Sequence, residues 1–200
     1  MNKILFTHSY FMRFDPKQWA TGQPYAPLGT LYAAALMRER GYEVLLLDTM
    51  FAYGPEEVIP PLQEHNPDYF VLYDDGFNYL TKMCLTNMRE AAFEMMKFAR
   101  QKGCTVIVSS SDSTDHYEEY LEEGADFVIL GEAEQTLAQL ITAIDLQQKD
   151  LLLIPGIAFK QNDAVIKTTH RMVLKELDSL SFPAWDLVDI EAYRKTWVKN

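Results

Sequence analysis

FVILGEAEQTLAQLI, residues 127–141, contains a complete strand-to-helix junction. The apolar run stops at Gly131, two glutamates follow within three residues, and a leucine-spaced helix begins. Gly131 permits the tight turn, because a residue without Cβ turns where others are strained. Glu132 and Glu134 fall in the expected first helical turn, where carboxylates are favourable with the helix dipole. The same charges argue against a phosphate at this helix end and suit neutral hydroxyls or amides.

Working outward, the same rhythm recurs. KILFTH (Lys3–His8), VLLLD (Val44–Asp48), YFVLYDD (Tyr69–Asp75), TVIVS (Thr105–Ser109) and DFVIL (Asp126–Leu130) read as strands. PLGTLYAAALMRERGYE carries its apolar residues on one helical face and reaches a C-cap at Gly41. Pro60 and Pro61 restrict the next helix to a short one, or one restarting at Pro61. Leu85, Met88, Ala92, Met95 and Ala99 mark one face of a longer helix, whose methionines read as core. Asp112–Glu123 reads as a short helix with Asp112 or Ser113 as N-cap and Gly124 at its end. Leu137, Leu140, Ile141 and Ile144 mark the last.

Five strands, each followed by a helix, predict an α/β fold with a flavodoxin-like, doubly wound, parallel five-stranded sheet. After Asp150 the rhythm changes. GIAFK-QND-AVIKT predicts a C-terminal β-hairpin, and LDSLSFPAWDLVD an extended linker docked by Leu177, Phe182 and Trp185. The expected organisation is an α/β domain over residues 1–150 and a hairpin and linker over 151–200.

Composition narrows the function. With 48% apolar residues the chain supports a packed core. A net charge of −11 argues against duplex nucleic acid as a partner, since that affinity rests on Lys and Arg at phosphates. Cys84 and Cys104 form no CxxC, so this chain's thiols alone build no zinc or iron–sulfur site. Two such thiols suit a reducing cytoplasm. The apolar start at Ile4 is ended by Arg13 and Asp15, well short of an export or membrane segment, so a cytoplasmic protein without a membrane partner is expected.

In an open parallel sheet, ligands bind beyond the carboxyl ends of the strands. Those ends carry SYFMRFDPKQWATGQPYAPLG, DDGFNY, SSSDSTDH and GEAEQT. The first is far longer than the roughly two to six residues usual there, and such loops tend to be functional. Its aromatics Tyr10, Phe11, Phe14, Trp19 and Tyr25 either receive a large flat ligand or cover the sheet edge; both readings are open. GxGxxG and GxSxG are absent, which removes a dinucleotide site and a hydrolase elbow. A phosphoacceptor domain fits poorly: strand one ends in Thr7-His8 without an acidic pair, and strand five in Leu-Gly-Glu without a lysine. The four histidines show no metal spacing. His65 and His170 are expected in solvent, His8 and His116 at the ligand-bearing edge. Asp74, Asp75 and Asp112 are candidate hydrogen-bonding groups there.

Assembled, these stretches resemble a known family. PLGTLYAAALMRERGYEVLLLD is similar to the proline-leucine-glycine opening in the cobalamin-binding domain of radical SAM enzymes. GEAEQT, Gly131–Thr136, matches that family's Gly-Glu-x-Glu-x-Thr turn, and IPGIAFK with LDSLSFPAWDLVD resembles the bridge into its catalytic barrel. The resemblance implies cobalamin across the carboxyl edge of the sheet, its nucleotide tail beside strands three to five. The implied cofactor-binding residues are Leu28, Gly29, Asp75, Gly76, Ser109, Ser110, Asp112, Thr114, Gly131, Glu132, Glu134 and Thr136. It also implies a radical SAM barrel in the same full-length chain, binding S-adenosylmethionine and a [4Fe-4S] cluster through a CxxxCxxC motif absent here. No catalytic group or metal ligand is expected in this part.

Two features depart from cobalamin-binding domains at large. The first loop lacks DxHxxG, so no histidine lower ligand comes from it, as is usual in the radical SAM branch. Ser109, Ser110, Ser111 and Asp112 stand where Gly-Gly-Pro-His is common, adding bulk and hydroxyls where glycines admit close approach. Two readings follow. One is a cobalamin-binding module that positions the corrin for methyl transfer or radical chemistry in a following barrel. The other is a degenerate flavodoxin-like docking or regulatory domain that no longer binds cobalamin.

Overall fold

The apolar runs form β1 (Lys3–Thr7), β2 (Glu43–Leu47), β3 (Tyr69–Tyr73), β4 (Thr105–Ser109) and β5 (Phe127–Ile129) in the computed structural model, which describes residues 2–74 and 85–198. These strands pair in parallel in the order β2-β1-β3-β4-β5, the flavodoxin-like arrangement. Strand one stops at Thr7, short of His8, and strand three at Tyr73, which leaves His8 and Asp74 to the loops. Asp75, Gly76 and Cys84 lie outside the described residues.

The expected five-stranded sheet is corrected to seven strands among the described residues. β6 (Ile157–Gln161) pairs antiparallel with β5, and β7 (Ala164–Lys167) antiparallel with β6. Asn162 and Asp163, both at positive φ, make the two-residue turn that matches strand twist. The hairpin continues the sheet because the three-residue β5 is otherwise an open edge of unpaired backbone groups.

Burial on both faces explains the unbroken apolar runs. Past a short α1 (Pro16–Thr21) in the first loop, Ile4, Phe6, Val71, Ile107 and Ile129 face one core with Ala34 of α2 (Leu28–Glu39) and Leu137 and Ile141 of α7 (Glu134–Asp145). The intervening Leu5, Phe70, Leu72, Val106 and Val108 face the other core with α3 (Ile59–His65), α4 (Leu85–Gln101) and α6 (Tyr117–Glu123). Met88, Ala92, Met95 and Ala99 are buried, so the methionine stripe is core. Pro60 and Pro61 sit in the first turn of the short α3, where missing N–H groups cost nothing. α2 closes with paired bonds from Gly41 to Arg38 and from Tyr42 to Met37, with Gly41 at φ +89°. Cys104 is a buried free thiol donating to the Pro67 carbonyl, and burial pushes its pKa up to about 11.

The linker docks by other residues than expected. Leu177, Phe182 and Trp185 are exposed, Phe182 at 82%. Docking falls to small groups: Ala184 donates its amide to Leu31 O at 3.2 Å, and Ser181 Oγ donates to Glu39 at 2.5 Å. The turn at Trp185–Leu187 sets Ala184 against α2 and leaves its bulky neighbours outward. An unanticipated helix, α8 (Ile190–Val198), follows. Its Tyr193 hydroxyl donates to Asp48 at 2.6 Å, and Asp48 also meets His8 Nε2 at 2.9 Å. Thr49 Oγ1 lies 3.0 Å from His8 Nδ1, so this buried histidine at the ligand-bearing edge is held on both ring nitrogens. Among the described residues no helix is long and apolar enough to cross a membrane.

Gly156 locks the hairpin entry. It sits at φ +80°, and a Cβ there would lie 3.1 Å from Leu130 O. Gly156→Ala is expected to destabilise the fold by about 1–3 kcal/mol, read from the urea midpoint.

Candidate functional site

The carboxyl edge is held open by polar side chains that bond to one another. Thr30 Oγ1 in the first turn of α2 donates to Tyr73 O at 2.7 Å, fixing Gly29 beside the end of β3. Asp74 accepts from Ser9 N at 2.6 Å and Ser9 Oγ at 2.9 Å, tying the β1 and β3 loops together.

After β4, Ser110 caps α5 (Ser111–Asp115). Its hydroxyl accepts from Ser113 N at 2.8 Å, and Ser113 Oγ accepts from Ser110 N at 2.9 Å. The N-cap is therefore Ser110, two or three residues earlier than expected, because this pairing satisfies two amides reciprocally. The predicted single helix is also broken at His116 into α5 and α6. His116 is exposed.

After β5, Gly131 turns at φ +84° and α7 begins only at Glu134. Glu132 thus precedes the helix instead of lying in its first turn. Its Oε2 accepts the Leu174 amide at 2.7 Å, while Glu134 Oε1 accepts from Tyr73 OH at 2.9 Å. Glu134 keeps its expected place in the first turn, where its charge is favourable with the helix dipole.

Between these turns lies a cleft of about 560 Å³, lined by Gly29, Tyr73, Asp74, Ser109, Ser110, Ser111, Thr114, Asp115, Gly131, Glu132, Ala133 and Glu134. Gly29, Asp74, Ser109, Ser110, Thr114, Gly131, Glu132 and Glu134 were legible from the sequence. Tyr73, Ser111, Asp115 and Ala133 were not singled out as site residues; each adjoins a named loop residue. Leu28 is exposed at the start of α2 and is not among the lining residues. Thr136 is fully buried and accepts from Arg171 Nε at 2.5 Å. Asp112 also turns away, accepting two bonds from Arg89 at 2.6 and 2.8 Å and one from Tyr120 OH at 2.9 Å.

Among the described residues four carboxylates and no lysine or arginine line the cleft. It is rich in acceptors, so it suits N–H and O–H donors of a neutral group and disfavours an anion. Ser110's hydroxyl is committed to its cap, which leaves Ser111, exposed in the first turn of α5, as the freer hydroxyl. Among the described residues no group of His, Cys, Asp and Glu gathers as a metal site.

The long first loop mostly covers the sheet edge. Tyr10 and Phe11 are buried, and Phe11 packs on Phe14 at 4.8 Å between ring centres. Tyr25 meets Trp197 of α8 edge-on, and the Arg13 guanidinium lies against both Trp19 and Tyr53.

Asp112 secures the turn after β4. Burial pushes its carboxyl up, but hydrogen bonds from Arg89 and Tyr120, with the Arg89 charge, outweigh that and hold it below the usual range. A carboxyl with a lowered folded pKa contributes stability that is present above its unfolded pKa and is lost as pH falls through the folded one. Asp112→Asn is expected to cost about 2–3 kcal/mol at neutral pH and to flatten the loss of stability below about pH 4, measured by urea titrations across pH.

Comparison with known proteins agrees with this geometry. An anaerobic magnesium-protoporphyrin IX monomethyl ester cyclase of Synechocystis is 28% identical over 174 residues, covering 84% of this chain and 32% of the relative. An uncharacterized methyltransferase of Pyrococcus horikoshii is 22% identical over 84% of this chain and 35% of its own length. The chain thus spans about a third of the curated relatives it matches. Among solved structures, the cobalamin-dependent S-adenosylmethionine radical enzyme OxsB with aqua-cobalamin bound superposes with a TM-score of 0.71 at 17% identity, over 98% of this chain and 25% of that one. The radical S-adenosylmethionine methyltransferase TsrM of Kitasatospora setae gives 0.65 at 17% identity, over 92% and 31%. The B12 binding domain family matches residues 20–141, more than half of the sequence. With its 2-1-3-4-5 sheet and open carboxyl edge, the chain belongs to the B12-binding domain family.

Proposed function

We propose that this chain is a cobalamin-binding module that presents the corrin to a radical SAM barrel in the same full-length protein. The observation that carries the reading is the cleft at the ends of β3, β4 and β5, lined by the stretches that resemble the family's cofactor loops. Its residues fit the group. Gly29 and Gly131 contribute no side chain to the walls, and the acids offer acceptors to amides and hydroxyls. When bound, cobalamin supplies cobalt-centred methyl-transfer or radical chemistry.

The chain's own residues bind and orient. Ser109, Ser111 and Thr114 would meet the cofactor with hydroxyls, and Glu132, Glu134 and Asp115 would accept its N–H and O–H donors. Asp75 and Gly76, outside the described residues, stay proposed as cofactor contacts on the family resemblance alone. Asp112, bonded to Arg89, braces the lining turn after β4 from behind, and Thr136 is buried away from the cleft. No lower ligand is assigned to His8, which Asp48 and Thr49 hold inside the fold. S-adenosylmethionine and a [4Fe-4S] cluster are assigned to the barrel, towards which residues 151–200 lead.

Titration of the chain with hydroxocobalamin, followed by absorbance and calorimetry, tests this. Saturable binding near one equivalent is expected, and Ser111→Trp, which sets an indole into the cleft from an exposed position, weakens it at least about tenfold. Absence of saturable binding overturns the assignment and leaves a degenerate docking domain.

A further inference from the structure

Residues 170–174 lie beyond the part of the chain matched by the family, yet they are fastened to the turn that lines the cleft. The contacts are of different kinds. Arg171 Nε donates to Thr136 Oγ1 at 2.5 Å, and its Nη2 donates to Gln139 Oε1. A Cβ on Gly131 would stand 3.3 Å from His170 Cε1, so the linker sits against the bare face of that glycine. Leu174 N donates to Glu132 Oε2 at 2.7 Å.

Only the last contact uses a side chain that also lines the cleft. Glu132 has two acceptor oxygens: Oε2 holds the linker, which leaves Oε1 for a donor in the cleft. We propose that Glu132 is a positioning residue that couples occupancy of the cleft to the placement of the linker. This rests on the reading of the cleft as a cobalamin site. An amide or hydroxyl of the cofactor on Oε1 fixes the carboxylate, and an immobilised carboxylate holds the Leu174 amide at lower entropic cost. The coupling is reciprocal, so a pinned linker strengthens cofactor binding by the same factor. Arg171 supplies a second anchor that leaves the cleft untouched. The exposed Met172 and Val173 stand between the two anchors, so their position follows the state of Glu132.

Hydrogen exchange at the Leu174 amide tests the coupling, with hydroxocobalamin as probe and absorbance reporting its binding. In the free chain Glu132→Ala is expected to speed exchange at Leu174 about tenfold or more, the size of a bond to a charged acceptor. Saturating hydroxocobalamin slows Leu174 several-fold further in the wild type and in Arg171→Ala, which keeps the Glu132 bond, but not in Glu132→Ala. Unchanged thermal midpoints confirm that both variants fold. Equal exchange in wild type and Glu132→Ala overturns the proposal, as does equal slowing of both on binding. Bound cofactor with unchanged Leu174 exchange removes the coupling alone, whereas failure of the absorbance titration removes the cobalamin reading and the coupling with it.

Discussion

Parallel hydrogen bonding from β2 through β5 makes all five strands end on one edge, and the rest of the structure depends on it. Parallel neighbours cannot be joined by tight turns, so each return passes along a face of the sheet and covers it. Ile4 and Phe6 then serve one core while Leu5 serves the other. Polar loop residues are left at the strand ends, and the carboxyl edge collects them from β1, β3, β4 and β5.

Those polar groups divide into supports and lining. Asp112 with Arg89, Ser110 with Ser113, and His8 with Asp48 are pairs in which each side chain satisfies the other or a nearby amide. They hold the turns still and leave few donors for a ligand. Two of the four lining acids are tied by donors, Glu134 by the Tyr73 hydroxyl within the lining and Glu132 by the Leu174 amide from outside it. These bonds offset the repulsion of several carboxylates around one cleft. The result is an edge biased towards neutral donors such as amides and hydroxyls.

Legibility varied with the range of the interaction. Thr105–Ser109 emerged as a strand with its predicted ends, because burial on both faces leaves an unbroken apolar run. The cap of α5 was harder. SSSDS offers several residues able to cap, and only backbone geometry selects Ser110 with Ser113. In the linker, apolar character misled. Phe182 and Trp185 are the largest groups there, but close approach to α2 favoured Ala184 and Ser181. Most lining residues were found because loops at strand ends converge by topology; Asp112 and Thr136 lie in those loops but spend their side chains inward.

By itself the sequence determined the α/β class, the strand segments, the glycine turn at 131 and the loops that meet at the carboxyl edge. These follow from local pattern, since burial and backbone preference act within a few residues. The tertiary structure decided that the hairpin extends the sheet beyond β5, that Tyr193 of α8 reaches Asp48, and that Glu132 grips the amide of Leu174, 42 residues away. Such contacts depend on register, twist and the path of a connecting chain, and no local pattern of residue types carries that information.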